Sequence, residues 1–199
     1  VLVNRVYLGY SGAFAFGSAA LFCYIAGSPF LLQNVLGLSV GQASAAFAAG
    51  ALTATLSSIA GARLVSRFTP KSLLVCGLVV LAAASAAALA VTAAGRLGRI
   101  SAFTLLALAF LGLGLVFANA TTLAVDEVPD AAGTGSAVLG TAQSALGALA
   151  APLMGLGGSH TALPLFLGMT VSATVALLCL RSTRRCPAPL SSKKLLGNP

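Results

Sequence analysis

Charged side chains are scarce in this sequence. Only 7% of its 199 residues are Asp, Glu, Lys or Arg, whereas soluble domains carry about 25%. Hydrophobic residues make up 58% of the chain. A protein this poor in charge cannot cover its surface in water, so the composition predicts an integral membrane protein that contacts membrane lipid.

The residues needed for metal binding and catalysis are equally sparse. The single histidine, His160, lies in a predicted loop, and the four cysteines show no CxxC or zinc-type spacing. No nucleophile and base occur together in a recognisable pattern. We therefore predict a protein that is not an enzyme and has no metal site and no cofactor. The formal charge of +8 is spread over short clusters between apolar runs, which argues against a nucleic-acid partner.

Four long runs contain no Lys, Arg, Asp or Glu, and they can be counted as membrane spans. They cover 57, 24, 26 and 50 residues. A spanning helix needs about 20 apolar residues, so the two longest runs hold two helices each and the other two hold one. The predicted fold is all-α, with six transmembrane helices at 8–32, 42–64, 72–94, 100–123, 134–154 and 162–180.

The distribution of basic residues predicts the orientation. Nine Lys and Arg residues lie on the side of the two termini, and only Arg96 and Arg99 lie on the other. By the positive-inside rule, both termini are expected in the cytoplasm. The symmetric order of long and short runs also fits an inverted 3+3 repeat of the kind found in secondary transporters.

The predicted spans contain no carboxylate, Lys, Arg or His, so their few polar side chains are the candidates for a solute path. Tyr24 and Ser28 lie one turn apart in the first span, Asn119 is late in the fourth, and Gln143 lies in a stripe of small residues in the fifth. Each could line a cavity. Each could equally form an internal hydrogen bond or belong to a packing face, because a buried amide or hydroxyl needs a partner in lipid.

The tripeptide Gly27-Ser28-Pro29 interrupts the first span. Proline removes a backbone donor and disfavours helical geometry at the preceding residue. Such a break is tolerated inside a membrane where neighbouring helices or a water-filled cavity satisfy the freed backbone groups. We expect a kink or an unwound turn here that faces the protein interior and flexes as a gate opens.

Three stretches resemble the Bcr/CflA branch of drug-resistance transporters, within the major facilitator superfamily. "FCYIAGSPFLLQNVLGLS" resembles that branch's seventh helix and the loop after it. "GLVFANATTLA" is similar to its tenth helix, and "PDAAGTGSAVLGTAQSALGALAAPLMGLGG" resembles its eleventh. The resemblance implies a transporter of twelve helices in two bundles. Residues 1–183 would then form the second bundle, helices seven to twelve, and 184–199 a basic, Pro/Ser-rich cytosolic tail.

The resemblance also implies roles for particular residues. It makes Tyr24, Ser28, Asn119 and Gln143 cavity residues. It places a helix bend and tight packing that seals the cavity at four positions of the fifth span and the loop after it: Gly147, Pro152, Gly155 and Gly158.

A basic loop motif is matched between the second and third spans, without the acidic residue that is common before its first arginine. Its residues are Gly61, Arg63, Arg67 and Lys71. Arg63 or Arg67 could meet Asp126 or Glu127 across the cytoplasmic face, or these charges could simply be solvated and fix the topology.

The expected function is that of the C-terminal half of a proton-coupled multidrug antiporter in the cell membrane, which confers drug resistance by efflux. Its partners would be an N-terminal six-helix bundle, protons as the coupling ion and a small amphipathic drug-like substrate. The alternatives are a six-helix channel, a half-size membrane protein and an inactive truncated fragment. The absence of a charged ring or filter-like repeat in the spans argues against the channel.

Overall fold

The computed structural model describes residues 4–155 and 161–182, and all regular structure there is helical. The helices are α1 Arg5–Pro29, α2 Val40–Leu64, α3 Pro70–Ala93, α4 Arg99–Asp126, α5 Ala132–Gly155 and α6 Leu163–Ser182. A π-helical segment, Phe30–Val35, prolongs α1, and a short 3₁₀ helix, Pro129–Ala131, precedes α5. The predicted six-helix architecture is confirmed, and every predicted span end lies within three residues of the end observed, whether the first span is taken to end at Pro29 or at Val35.

Five of these helices are long and apolar enough to cross a membrane: α1 with its π segment, α2, α3, α4 and α6. The sixth, α5, is 24 residues long. It crosses the bundle beside α1, since Tyr7 donates a hydrogen bond to the Gly135 carbonyl near one end (2.8 Å). Nearer the other end, a Cβ at Gly147 would lie 2.8 Å from the ring of Phe22.

Side chains at the helix starts explain where the spans begin. The Asn4 side chain accepts hydrogen bonds from the backbone of Val6 and Tyr7. Ser39 and Gln42 form a reciprocal capping box before α2. Thr69 accepts from the Ser72 backbone at the start of α3. These caps satisfy backbone donors that have no partner within a helix.

Helix packing follows a two-fold pattern. α1 packs mainly on α4, α5 and α6, while α4 packs mainly on α1, α2 and α3, and α3 packs on α6. Exchanging α1 with α4, α2 with α5 and α3 with α6 leaves this set of pairs unchanged. Three helices cross the membrane before α4 begins, so α4 starts on the opposite side from α1. The triplet α1–α3 and the triplet α4–α6 therefore run in opposite directions. This is the pairing expected of an inverted 3+3 repeat.

Glycines allow the closest helix approaches. At the α3–α4 crossing, a Cβ at Gly77 would lie 2.8 Å from the Gly112 carbonyl oxygen, and one at Gly112 would lie 2.6 Å from the Gly77 oxygen. Lipid provides no hydrophobic drive for helices to associate, so such backbone contact supplies dispersion attraction. α2 is the least buried of the five spanning helices identified by length and hydropathy, because α4 is its main packing partner.

Candidate functional site

The candidate site is a pocket of about 420 Å³ between α1, α2 and α4, referred to below as the aromatic pocket. Its lining contains no charged residue and consists of aromatic, aliphatic and hydroxyl side chains. These are Leu21, Tyr24, Ile25, Phe47, Ala51, Ala54, Thr55, Ser58, Phe110, Leu113 and Phe117. Such a wall can bind an apolar or aromatic solute by contact area.

Tyr24 is the centre of the aromatic cluster. Its ring meets Phe110 edge to face, with centroids 4.8 Å apart, and lies 5.1 Å from the ring of Phe47 in a tilted arrangement. Edge-to-face pairs of this kind contribute about 0.5–1.5 kcal/mol beyond buried area. Gly50 makes the arrangement possible, because a Cβ there would lie 2.7 Å from Cε2 of Phe110. The ring therefore packs directly on the α2 backbone.

Two adjacent serines clamp α2 to α4. Ser57 donates to the Leu111 carbonyl (2.6 Å), and Ser58 donates to the Gly114 carbonyl (2.8 Å). Thr55 donates to Ala51 within its own helix. Two of the three hydroxyl groups in the pocket wall are thus committed to backbone carbonyls. Within the described residues the Tyr24 hydroxyl forms no hydrogen bond, so it is the group available to a solute.

Of the four predicted cavity residues, Tyr24 lines the aromatic pocket, whereas Ser28 and Asn119 form internal hydrogen bonds. Ser28 is fully buried and donates to the Ile25 carbonyl at 3.2 Å. Asn119 is 3% exposed and donates to Leu115 one turn back at 2.8 Å. Gln143 is half-buried on α5, a helix that contributes no residue to the pocket wall. The geometry brings none of these three to the pocket.

The Gly-Ser-Pro break does not contain the unwound turn that was one of the two expectations. The backbone stays helical through Pro29 (φ −58°, ψ −42°) and then widens into the π segment. Pro29 has no N–H to give to the Ile25 carbonyl, and the Ser28 hydroxyl supplies the missing donor. Gly27 and Ser28 are buried, but Pro29 is exposed. The break therefore faces the interior only at its first two residues. Gly27 packs closely against Leu165 of α6, whose Cδ1 would lie 2.8 Å from a Cβ added at Gly27.

Just beyond the π segment, the chain is bound by an arginine that is the first residue of α4. Nε of Arg99 donates to the Leu36 carbonyl at 3.0 Å. Gly37 follows with φ +64°, a conformation that favours glycine, and begins the turn to α2. Arg99 therefore ties the end of the first span to the start of α4.

The predicted sealing motif on α5 is only partly packed. Gly147 is buried against Phe22 of α1, and Pro152 is exposed within the helix. Gly155 is the last residue of α5. Gly158 lies outside the described residues, as do His160 and the predicted tail at 184–199.

The basic motif is not confined to a loop. Gly61 and Arg63 belong to the last turn of α2, Arg67 lies in the turn after it, and Lys71 lies in the first turn of α3. Gly61 is buried because α4 passes close to it, with Leu115 Cδ2 at 2.9 Å from an added Cβ.

The acidic residues of the same face do not meet these cations. Asp126 ends α4, and the backbone carbonyl of Glu127 accepts a hydrogen bond from the Asn4 side chain (3.3 Å). Within residues 4–155 and 161–182 no Lys or Arg forms an ion pair with an acid. Arg63 and Arg67 are both exposed.

Several wall residues were not anticipated from the sequence: Phe47, Thr55, Ser58, Phe110 and Phe117. A signal for part of the set exists. Phe103, Phe110 and Phe117 recur every seven residues in α4 and so share one face. In the part of the chain that the structure describes, no group of three His, Cys, Asp or Glu could hold a metal ion.

Comparison with known proteins identifies the family. Residues 1–152 match the profile of the Major Facilitator Superfamily. The chain is similar to the uncharacterized MFS-type transporter YdgK of Bacillus subtilis (strain 168), with 29% identity over 183 residues that cover 89% of this chain. It spans 44% of that relative's length. No solved structure matches the chain significantly. The match over most of the sequence, together with the six-helix bundle, shows that the chain belongs to the major facilitator superfamily.

Proposed function

We propose that this chain is the C-terminal bundle of a proton-coupled multidrug exporter that works by alternating access. The aromatic pocket carries the proposal. Its lining is uncharged, its volume is about 420 Å³, and it lies on α1 and α4, the two helices at the centre of the bundle. An amphipathic solute would contact the rings of Tyr24, Phe47 and Phe110, and the Tyr24 hydroxyl would provide its hydrogen bond.

The rest of the transporter is part of the same proposal. An N-terminal six-helix bundle completes the cavity, and it carries the carboxylate that couples transport to protons, since the spans of this chain contain none. The length of YdgK, of which this chain covers 44%, supports a second bundle of similar size. The protein lies in the cell membrane with both termini in the cytoplasm, which agrees with the distribution of basic residues. The stretches that resemble Bcr/CflA transporters support assignment to that branch.

The test is export of Nile red, an uncharged aromatic dye, by the intact protein in a cell that lacks its own drug pumps. The expected result is lower dye accumulation than in cells with an empty vector, and loss of the difference when a protonophore collapses the proton gradient. Accumulation equal to that of the empty vector, or export that is insensitive to the protonophore, would contradict the proposal.

Variants connect the activity to the pocket. Phe47→Ala removes one ring from a half-exposed position, and we expect about a tenfold loss of export, equivalent to about 1.4 kcal/mol of binding. Tyr24→Phe keeps the packing and removes the hydroxyl, so its loss should be confined to substrates that accept a hydrogen bond. Val79→Ala, at an exposed apolar position of α3, is the matched control. Immunoblotting of membranes checks that all variants are present in equal amounts.

A further inference from the structure

All three acidic residues of the chain lie close together in sequence, at one end of the bundle. They are Asp126, Glu127 and Asp130. Asp126 is the last residue of α4, Glu127 caps that helix, and Asp130 lies in the 3₁₀ helix after it. All three are exposed. They form the one acidic surface of a chain whose formal charge is +8, and they are called the acidic patch below.

The acidic patch lies where negative charge is unfavourable. The carbonyl groups at the C-terminal end of a helix carry partial negative charge, so they repel carboxylates and would stabilise a cation. The last turn of α4 contains no basic residue. Among the described residues, no Lys or Arg forms an ion pair with the patch. The described part of the chain therefore does not supply the countercharge that this position favours.

A tyrosine hydroxyl beside the patch also has no partner. Tyr10 is 5% exposed and packs in the buried cluster at this end of the bundle. Its hydroxyl forms no hydrogen bond to any described residue. The charge of Glu127 acts on this hydroxyl, which places it at the inner edge of the patch. A hydroxyl on a side chain this buried gains from a partner, so a bound cationic group could satisfy it as well.

The geometry argues against a metal ion as the occupant of the patch. In the part of the chain that the structure describes, no three His, Cys, Asp or Glu side chains converge closely enough to hold one. The carboxylates are instead spread over the end of α4 and the turn after it. This arrangement suits several separate cations carried on one segment of chain.

The sequence contains such a segment close by. The tail, 184–199, has no acid and four basic residues, Arg184, Arg185, Lys193 and Lys194. It follows α6, which ends on the same side of the bundle as α4 because α5 and α6 are two successive crossings. Leu180, near the end of α6, belongs to the same buried cluster as Tyr10 and Ala124 of α4. An extended residue spans about 3.3 Å, so the tail is long enough to reach the patch.

We propose that the tail binds the acidic patch of its own chain and so forms an intramolecular clasp between the ends of α6 and α4. Its basic side chains pair with the three carboxylates, and one of them also donates a hydrogen bond to the Tyr10 hydroxyl. Single exposed ion pairs are weak. Tethering raises the local concentration of the tail to the millimolar range, which favours it over a separate basic partner. The clasp does not depend on which solute is transported.

Carbodiimide cross-linking tests the clasp in the intact protein, in nanodiscs that contain phosphatidylglycerol. The reagent joins a carboxylate to an amine where the two are in contact, and mass spectrometry identifies the linked peptides. We expect Lys193 or Lys194 to be joined to the acidic patch. Mixing isotopically labelled with unlabelled protein shows whether the joined peptides come from one chain. Absence of a link from either lysine, or links only between labelled and unlabelled chains, would overturn the proposal.

Charge variants provide the matched comparison. Arg184→Gln with Arg185→Gln removes two cations from the tail and leaves its reactive lysines, and the loss of two exposed ion pairs should lower the cross-link yield about fivefold. Arg63→Gln with Arg67→Gln removes the same charge from exposed positions at the same end of the bundle and should leave the yield unchanged. Equal yields from the two double variants would overturn the clasp.

Two further results would assign the patch or the tail to another partner and would also overturn the proposal. Cross-links that form in zwitterionic nanodiscs but disappear with phosphatidylglycerol would show that the tail binds the anionic membrane surface instead. Cross-links from Lys71 or from a lysine of the proposed N-terminal bundle, without any from the tail, would show that a different basic segment occupies the patch.

Discussion

The contact between α2 and α4 predicts a large effect for a very small substitution, Gly114→Ala. A Cβ at Gly114 would clash with the carbonyl oxygen of Ala54 and would lie 2.8 Å from Cβ of Ser57. A backbone oxygen cannot rotate away as a side chain can. The methyl group must therefore push the two helices apart. This lengthens the hydrogen bonds that Ser57 and Ser58 donate to the carbonyls of Leu111 and Gly114.

The magnitude follows from three contributions. Overpacking at a rigid contact costs about 1–3 kcal/mol. The two interhelical hydrogen bonds are worth about 0.6 kcal/mol each on the average for membrane proteins. Alanine regains up to about 1 kcal/mol of helix propensity over glycine. The net expectation is a loss of about 1–3 kcal/mol in the free energy of unfolding.

The assay is unfolding of the intact protein from mixed micelles by titration with SDS, followed by circular dichroism. Gly41→Ala is the matched control, because it also lies in a spanning helix but has no atom within 4 Å of an added Cβ. We expect Gly41→Ala to be neutral or stabilising. Equal unfolding free energies for the two variants would refute the account of α2–α4 packing.

Two further predictions concern the first span and its outer connection. Ser28→Ala should lower the unfolding free energy by about 1–2 kcal/mol, because the carbonyl left without a donor by Pro29 then loses the serine hydroxyl as well. Adding Pro29→Ala restores a backbone donor, and failure of this second change to recover stability would contradict that explanation. Arg99→Met should speed hydrogen exchange of the amides that follow Leu36, since the hydrogen bond to its carbonyl is lost. Arg96→Met, at an equally exposed neighbouring arginine without that bond, should leave the exchange rates unchanged.

The sequence was sufficient to predict the helices because lipid imposes a strict composition on each crossing. Charges are excluded from spans and collect between them, so the charge-free runs give both the number and the limits of the helices. One departure is at the end of the first span, which continues through a π segment to Val35 instead of ending at residue 32. Nothing in the local pattern indicates that Ser28 can replace the donor that Pro29 lacks, and for this reason an unwound turn was expected where the backbone stays helical.

The site was less predictable, because it depends on which helices meet. Polar residues are rare in the spans and were therefore taken as cavity candidates. The side chains of Ser28 and Asn119 instead donate hydrogen bonds to backbone carbonyls of their own helices. The pocket instead uses phenylalanines, which in sequence look like ordinary lipid-facing residues. α2 packs on α4 rather than on the helix before it. That crossing brings Phe47 and Phe110 together. Residue spacing within a single helix cannot predict which two helices will pack on each other.

The small residues of α2 show how packing and binding are joined in this bundle. Gly50, Ala54, Ser57 and Gly61 recur at intervals of three and four residues, and all contact α4. The same stripe holds the two helices together and determines where Phe110 can lie. A larger residue at the stripe would separate α2 from α4 and displace Phe110 from the pocket wall at the same time. Stability of the α2–α4 contact and the shape of the aromatic pocket are therefore consequences of one set of backbone approaches, and a substitution there should change both.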